Sequence, residues 1–418
     1  KLDQFDAAKQ SFDAGLRKAT KAGKHWCHTG LGRVAMALKD YNTATTMFKQ
    51  ATVNDSANAD YWINIGDAYF YSGVAPLAVS YYDKALKMDT AGTEVYFHWA
   101  EACLELKDYN CAMEKLRTVL RRDSTYAAAW RRAGEIYFKA GLSSRSRDER
   151  TERFKETIGS YRRFMELSGA KADSAHVRPF FEIGMAYLNL NAYDSAYANF
   201  EKVLAIPYEP RDIYFYYGRA LWGNKDYVRA AEMLEKHLEW AAVQGERYNG
   251  SANNTELYQL LGDAWFYREH ADEAQKASDY TKAIENYKKS LAMDSAQARL
   301  LYNVAVGYHS LGSYRKAIEY YDKRITLGID SAQAGILKNA AYCALNIADA
   351  ASKGSGADGG EAYEDPEFAE TAAEPADPKA YYLSGADYMT RYLQYAPGDT
   401  AILKRTGYTY LYSLADCA

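Results

Sequence analysis

The stretch HWCHTGLGRVAMA, His25 to Ala37, looks the most chemically equipped part of the chain. His25, Cys27 and His28 are residue types that bind metals, and Gly30, Gly32 and Ala35 keep the G-x-G-x-x-A spacing of a dinucleotide-phosphate loop. Neither set is complete. A phosphate loop needs a strand before it and a βαβ unit around it, whereas the apolar residues here recur at helical spacing. On a helix His25 and His28 share a face at i, i+3, Cys27 points elsewhere, and no fourth ligand is evident. A structural helix is expected, with no metal and no cofactor.

Other reactive side chains are equally dispersed. His98, His176, His237, His270 and His309 stand in no set of nucleophile, base and orienting group. Glu101 and Glu135 could face each other as paired hydrolase carboxylates do, but a charged helical face produces such pairs by default. No enzyme is expected. Cys27, Cys103, Cys111, Cys343 and Cys417 form no C-x-x-C pair, and five thiols cannot all pair within one chain. Cys103 and Cys111 lie near one helical turn, where a disulfide requires an oxidising compartment, so their redox state stays open.

Composition narrows the partners. With 51 Lys and Arg against 55 Asp and Glu, the net charge is -4, which leaves no cationic excess for a nucleic-acid backbone. No apolar run approaches the roughly 20 residues that span a bilayer, and no leader-like segment opens the chain at Lys1. A soluble chain is expected, and a lipid anchor upstream of Lys1 is compatible with it. Tyrosine is the outlier, with 39 residues against 14 phenylalanines. Its ring packs while its hydroxyl reaches water, which favours a thin body rich in boundary surface.

The elements follow from self-similarity. Residues 59–92 read ADYWINIGDAYFYSGVAPLAVSYYDKALKMDTAG, with Trp62, Ile65, Gly66, Tyr69, Ala78, Tyr82 and Ala85 at fixed places. The same places carry Tyr96, Trp99, Ala100, Cys103, Ala112, Leu116 and Val119, then Trp130, Gly134, Tyr137 and Tyr161. Ile183, Gly184, Tyr187, Ala196 and Phe200 continue the series, as do Gly218, Leu221, Ala230 and Leu234, and Gly262, Trp265, Ala283 and Tyr287. Val304, Ala305, Tyr308, Ala317 and Tyr321 repeat it once more. In the first unit Leu31, Gly32, Ala44, Phe48 and Ala51 take these places, which assigns the His25 stretch to its first helix. Apolar residues at i, i+3, i+4 and i+7 give each helix one buried face, and short turns make neighbours antiparallel.

This pattern resembles the tetratricopeptide repeat (TPR). The resemblance implies an all-α solenoid, a right-handed superhelix of about nine complete helix-turn-helix repeats with half a repeat at each end. The repeats run 25–58, 59–92, 93–126, 127–170, 177–210, 211–244, 255–297, 298–331 and 332–399, with a helix B fragment at 1–24 and a helix A fragment at 400–418. Each end would leave an apolar face without its partner, so the expectation is either a piece of a longer protein or something else that covers those faces. Charged insertions after Gly141 and from Arg268, and the acidic stretch 351–378 with Tyr363 and Phe368, fall at the turn between helices A and B and should share one edge. The stretch 351–378 is too poor in aliphatic residues to order itself, and a mobile linker is expected. Asn249-Gly-Ser and Asn253-Asn-Thr match the N-glycosylation acceptor, which matters only in a eukaryotic secretory chain.

In the family, fixed places on helix A line a concave groove. These hold Trp26, Arg33, Asn64, Asp67, Tyr71, Phe97, Glu101, Arg131 and Glu135, then Phe181, Phe215, Arg219, Trp222, Tyr267, Tyr302 and Asn303. Aromatics beside Arg are the composition of interface hot spots. The resemblance therefore implies a non-catalytic scaffold that holds a protein or peptide partner, as a subunit of a larger assembly. The Lys and Asn pattern of a two-carboxylate clamp is absent, and the acidic interior of repeats 59–92 and 93–126 favours a basic or neutral segment. The alternative is a periplasmic or outer-membrane lipoprotein accessory to secretion or envelope biogenesis. Tyr-rich repeats and the Asp-Ser-Ala turns at Asp173, Asp194, Asp294 and Asp330 incline the expectation of compartment toward a bacterial envelope.

Overall fold

The computed structural model describes residues 2–20, 23–88, 92–169, 174–206, 212–244, 251–352 and 377–415. Among them are twenty α-helices and no strand. Two compact units divide the chain, Lys1–Pro210 and Arg211–Ala418. The first holds α1 Leu2–Lys18, α2 Lys24–Ala37, α3 Tyr41–Asn54, α4 Ala59–Tyr71, α5 Ala75–Leu86, α6 Thr93–Glu105, α7 Tyr109–Arg122, α8 Ala127–Ser143, α9 Arg147–Ser168, α10 Ser174–Asn189 and α11 Tyr193–Leu204. The second holds α12 Ile213–Gly223, α13 Tyr227–Gln244, α14 Ser251–Tyr267, α15 Glu273–Met293, α16 Ala298–Ser310, α17 Tyr314–Thr326, α18 Gly335–Ser352, α19 Pro378–Tyr395 and α20 Thr400–Ala415. Each unit by itself is an α-solenoid segment of helical hairpins stacked in chain order.

One contact explains why these residues form hairpins. Helix A offers a glycine and helix B lays a large side chain into the space it leaves. A Cβ at Gly66 would stand 2.6 Å from the Tyr82 ring, at Gly184 2.5 Å from Phe200, and at Gly262 2.6 Å from Tyr287. The fingerprint-like glycines of the His25 stretch have the same purpose. A Cβ at Gly32 would meet Phe48 of α3 at 2.4 Å, and one at Gly30 would meet Phe12 of α1 at the same distance. Ala44, Ala78, Ala112, Ala196, Ala230, Ala283 and Ala317, at one place on helix B, are fully buried where the paired helices touch.

The turns between helices are as regular as the core. Lys39, Gly73, Lys107, Asn191, Lys225 and Gly312 occupy the same place in six repeats, and all have positive φ. The next amide reaches back across the turn to helix A: Asp40 N to Ala35 O, Asp108 N to Cys103 O and Asp226 N to Leu221 O, each at 2.9 Å. This is a Schellman closure, which satisfies carbonyls that the helix end would otherwise leave open. Asp40 and Asp108 then cap helix B by accepting from Thr43 N and Cys111 N.

The charged insertion after Gly141 is not a loop. It lengthens both helices, so that α8 and α9 run 17 and 22 residues and meet at a turn of only residues 144–146. Its physical cause is a second glycine one heptad along, since a Cβ at Gly141 would lie 2.8 Å from Phe154 just as Gly134 faces Tyr161. The insertion from Arg268 likewise extends α15 to 21 residues. Most of the acidic stretch expected at 351–378, with Tyr363 and Phe368, lies outside the described residues, as do Asn249 and Cys417.

Candidate partner-binding face

In the first unit, α1, α2 and α4 enclose an open hollow of about 580 Å³. Trp26, Arg33 and Asn64 all line it, with Phe5, Phe12 and Tyr61 as aromatic wall. Trp26 is 70 % exposed, an unusual state for so large a ring, and Arg33 is exposed beside it. His25 and His28 sit on the same helix without a metal-like set. Among the described residues no group of three or more His, Cys, Asp or Glu is arranged to hold an ion.

Further along, Asp67 accepts from Tyr82 Oη at 2.8 Å and lies 2.8 Å from His98 Nδ1. That hydrogen bond raises the His98 pKa against the opposing effect of burial. Phe70, Tyr71 and Phe97 surround the imidazole, and Tyr71 keeps half its surface in solvent. Glu101 and Glu135 do come near each other, but Arg132 stands between them. Its Nε and Nη2 donate to Glu101 at 2.7 and 2.6 Å and its Nη1 donates to Glu135 at 3.0 Å. Arg178 bonds Glu135 at 3.0 Å and Glu182 at 2.7 Å, and Tyr161 donates to Glu182 from behind.

The ladder corrects the expectation of an acidic interior at this level. Burial works against the charge of Glu135, yet Arg178, Lys139 and Arg132 outweigh it and hold the carboxyl below its ordinary value. Glu182 goes the other way, because its burial exceeds what Tyr161 and Arg178 recover. Asp60, Glu94 and Glu105 remain as exposed acids on these helices. Arg131 is half-buried on α8, and Phe181 packs on Phe200 at 6.0 Å between centroids.

In the second unit a hollow of about 630 Å³ is lined by Arg299, Tyr302, Arg324 and Lys338 with Gln333 and Asn339, and among the described residues no carboxylate lines it. Arg299 is held by Asp263 at 2.6 Å and Arg324 donates to Gly328 O at 2.7 Å. Arg219 pairs with Glu256 at 3.2 Å, Trp222 is half-buried, and Tyr267 is exposed against Tyr227. Phe215 and Asn303 are not on the face: both are buried, Phe215 against His237 and Asn303 donating to Tyr287 Oη at 3.1 Å. Their places turn inward because a neighbouring helix covers them.

Repeated glycine-to-aromatic hairpins of this register are matched by the tetratricopeptide repeat family model over residues 29–93, 181–246 and 268–332. Those three stretches are tetratricopeptide repeats. It is 22 % identical over 311 residues to a TPR repeat-containing protein of Methanocaldococcus jannaschii, covering 63 % of this chain and 55 % of that one. It is 28 % identical over 146 residues to Tetratricopeptide repeat protein 8 of Caenorhabditis elegans, 34 % of this chain and 28 % of that protein. The chain thus spans about half the length of the first relative and less of the second. Among solved structures, the C-terminal part of a TPR repeat-containing protein from Cytophaga hutchinsonii aligns with TM-score 0.44 at 16 % identity, over 65 % of this chain and 98 % of that one.

Within the TPR frame, sequence reasoning missed the cations that organise the face. Arg132 stands one place beyond Arg131, and Arg324 and Lys338 come from α17 and α18, outside the helix A places of 298–331. Cys103 and Cys111 are joined as a disulfide, tying the end of α6 to the first turn of α7. No helix among the described residues is long and apolar enough to cross a membrane.

Proposed function

We propose that this TPR chain is a non-catalytic scaffold that seats a peptide or protein partner on the helix A face. The observation that supports it is the α1, α2 and α4 hollow, where Trp26 projects beside Arg33 over an aromatic wall. A ring left 70 % exposed gains most when a partner covers it. A photo-crosslinking side chain at position 26 should trap one partner in cells of the source organism, and Arg33→Ala should lower that yield several-fold. Equal yield from Arg33→Ala and the parent, with Trp26→Ala also retaining the partner by affinity purification, sinks the reading.

A second reading concerns compartment, and the Cys103–Cys111 bond favours it. Disulfides persist in oxidising surroundings such as a bacterial periplasm, where an envelope accessory lipoprotein would work. Alkylation of protein taken from its native source without reductant should leave Cys103 and Cys111 unmodified; labelling of both would speak against the envelope.

A further inference from the structure

Away from the helix A face, α7, α8 and α9 enclose a hollow of about 1020 Å³. Four cations line it: Arg117 from α7, Lys139 from α8, Arg145 from the turn and Arg153 from α9. Only two carboxylates do, Glu114 and Glu149, in a chain whose net charge is -4. Positive charge is therefore concentrated locally against the sign of the whole molecule.

The cations are not equally occupied. Lys139 bonds Glu135 at 3.2 Å, Arg153 bonds Glu156 at 2.8 Å, and Glu114 is taken by Lys115 at 2.9 Å. Arg117 and Arg145 are exposed and make no ion pair among the described residues. Apolar surface accompanies them, since Met113 and Ile136 border the hollow, and the rings of Tyr109 and Tyr137 lie beneath Lys139 and Arg153 at 5.4 and 5.9 Å. Arg145, Glu149 and Arg153 also belong to the stretch that lengthens this one hairpin, so the far wall is built from residues the short repeats lack.

We propose that this hollow docks an acidic, aromatic-containing peptide segment of a partner protein, independently of the helix A face. Its size reaches the top of the roughly 300–1,000 Å³ range of small-molecule pockets, so it takes several residues of extended chain. Unpaired arginines supply carboxylate contacts, and the tyrosine-lined floor accepts the intervening side chains. A single phosphate would leave most of this floor uncovered.

The test is fluorescence anisotropy of the full chain with a fluorescein-labelled peptide alternating glutamate and tyrosine, beside its glutamine counterpart. The glutamate peptide should bind, weaken with added salt, and lose about tenfold or more in affinity to Arg117→Glu/Arg145→Glu. Lys404→Glu, at an exposed place on α20, should bind as the parent does. Circular dichroism identifies any variant that fails to fold, and Arg117→Gln/Arg145→Gln then replaces it. Binding unchanged by loss of both arginines, equal binding of the glutamine peptide, displacement by inorganic phosphate, or equal affinity for a single-stranded oligothymidylate would each overturn the proposal.

Discussion

At the scale of single residues, His98 ties the fold to pH. Asp67 holds its pKa above the ordinary 6.5, and Glu94 and Glu101 act in the same direction while burial opposes them. A histidine raised in the fold contributes stability that is complete below its unfolded pKa and is lost as pH rises through the folded value. The α4 to α6 region should therefore soften above neutrality. His98→Gln should cost about 1 kcal/mol near pH 5 and less near pH 8, and melting curves of both proteins across that range would show it. A parallel loss at every pH would mean that the imidazole acts through packing alone. The same residue shows why the face was only half legible from sequence. Trp26, Arg33 and Asn64 could be read off their places and do line one hollow. The pairing of Glu101 with Arg132 and of Glu135 with Arg178 spans 31 and 43 residues, a separation at which no local spacing signals a partner.

At the scale of elements, the left-handed turn residue decides how tightly a hairpin closes. Gly73 has φ of 80° and open space around it, so a methyl there meets no atom and only the backbone objects. Gly73→Ala should destabilise by about 1 kcal/mol. Gly159 makes the opposite case: it sits exposed inside α9, also with nothing within 4 Å, so Gly159→Ala should stabilise by roughly 0.5–1 kcal/mol. Denaturant titration of the two variants should move the midpoint in opposite directions, and a shared sign would contradict the conformational argument. The hairpins themselves were legible because glycine and aromatic recur at fixed offsets in repeat after repeat. The turns were less so, since lysine occupies the left-handed place in three of them. Their recurring cue is Lys-Asp-Tyr, at Lys39, Lys107 and Lys225. The charged stretch after Gly141 reads as a loop by composition, and only the spacing of Gly141 and Phe154 reveals continued helix packing.

At the scale of the whole molecule, stability is distributed along the stack, because each hairpin buries its apolar face only against its neighbours. Damage should then spread a limited distance. Gly66→Ala forces a Cβ to within 2.6 Å of the Tyr82 ring, and the displaced tyrosine also carries the hydrogen bond to Asp67. Overpacking of this kind costs about 1–3 kcal/mol. Within the first unit, α4 and α5 should lose the most amide protection, α3 and α6 less, and α10 and α11 almost none. Hydrogen exchange followed by mass spectrometry resolves these segments. A uniform rise over every helix of the unit would mean that it unfolds as one cooperative body. Attenuation from one hairpin to the next would instead allow one repeat to yield to a bound partner while those farther along the same unit keep their shape.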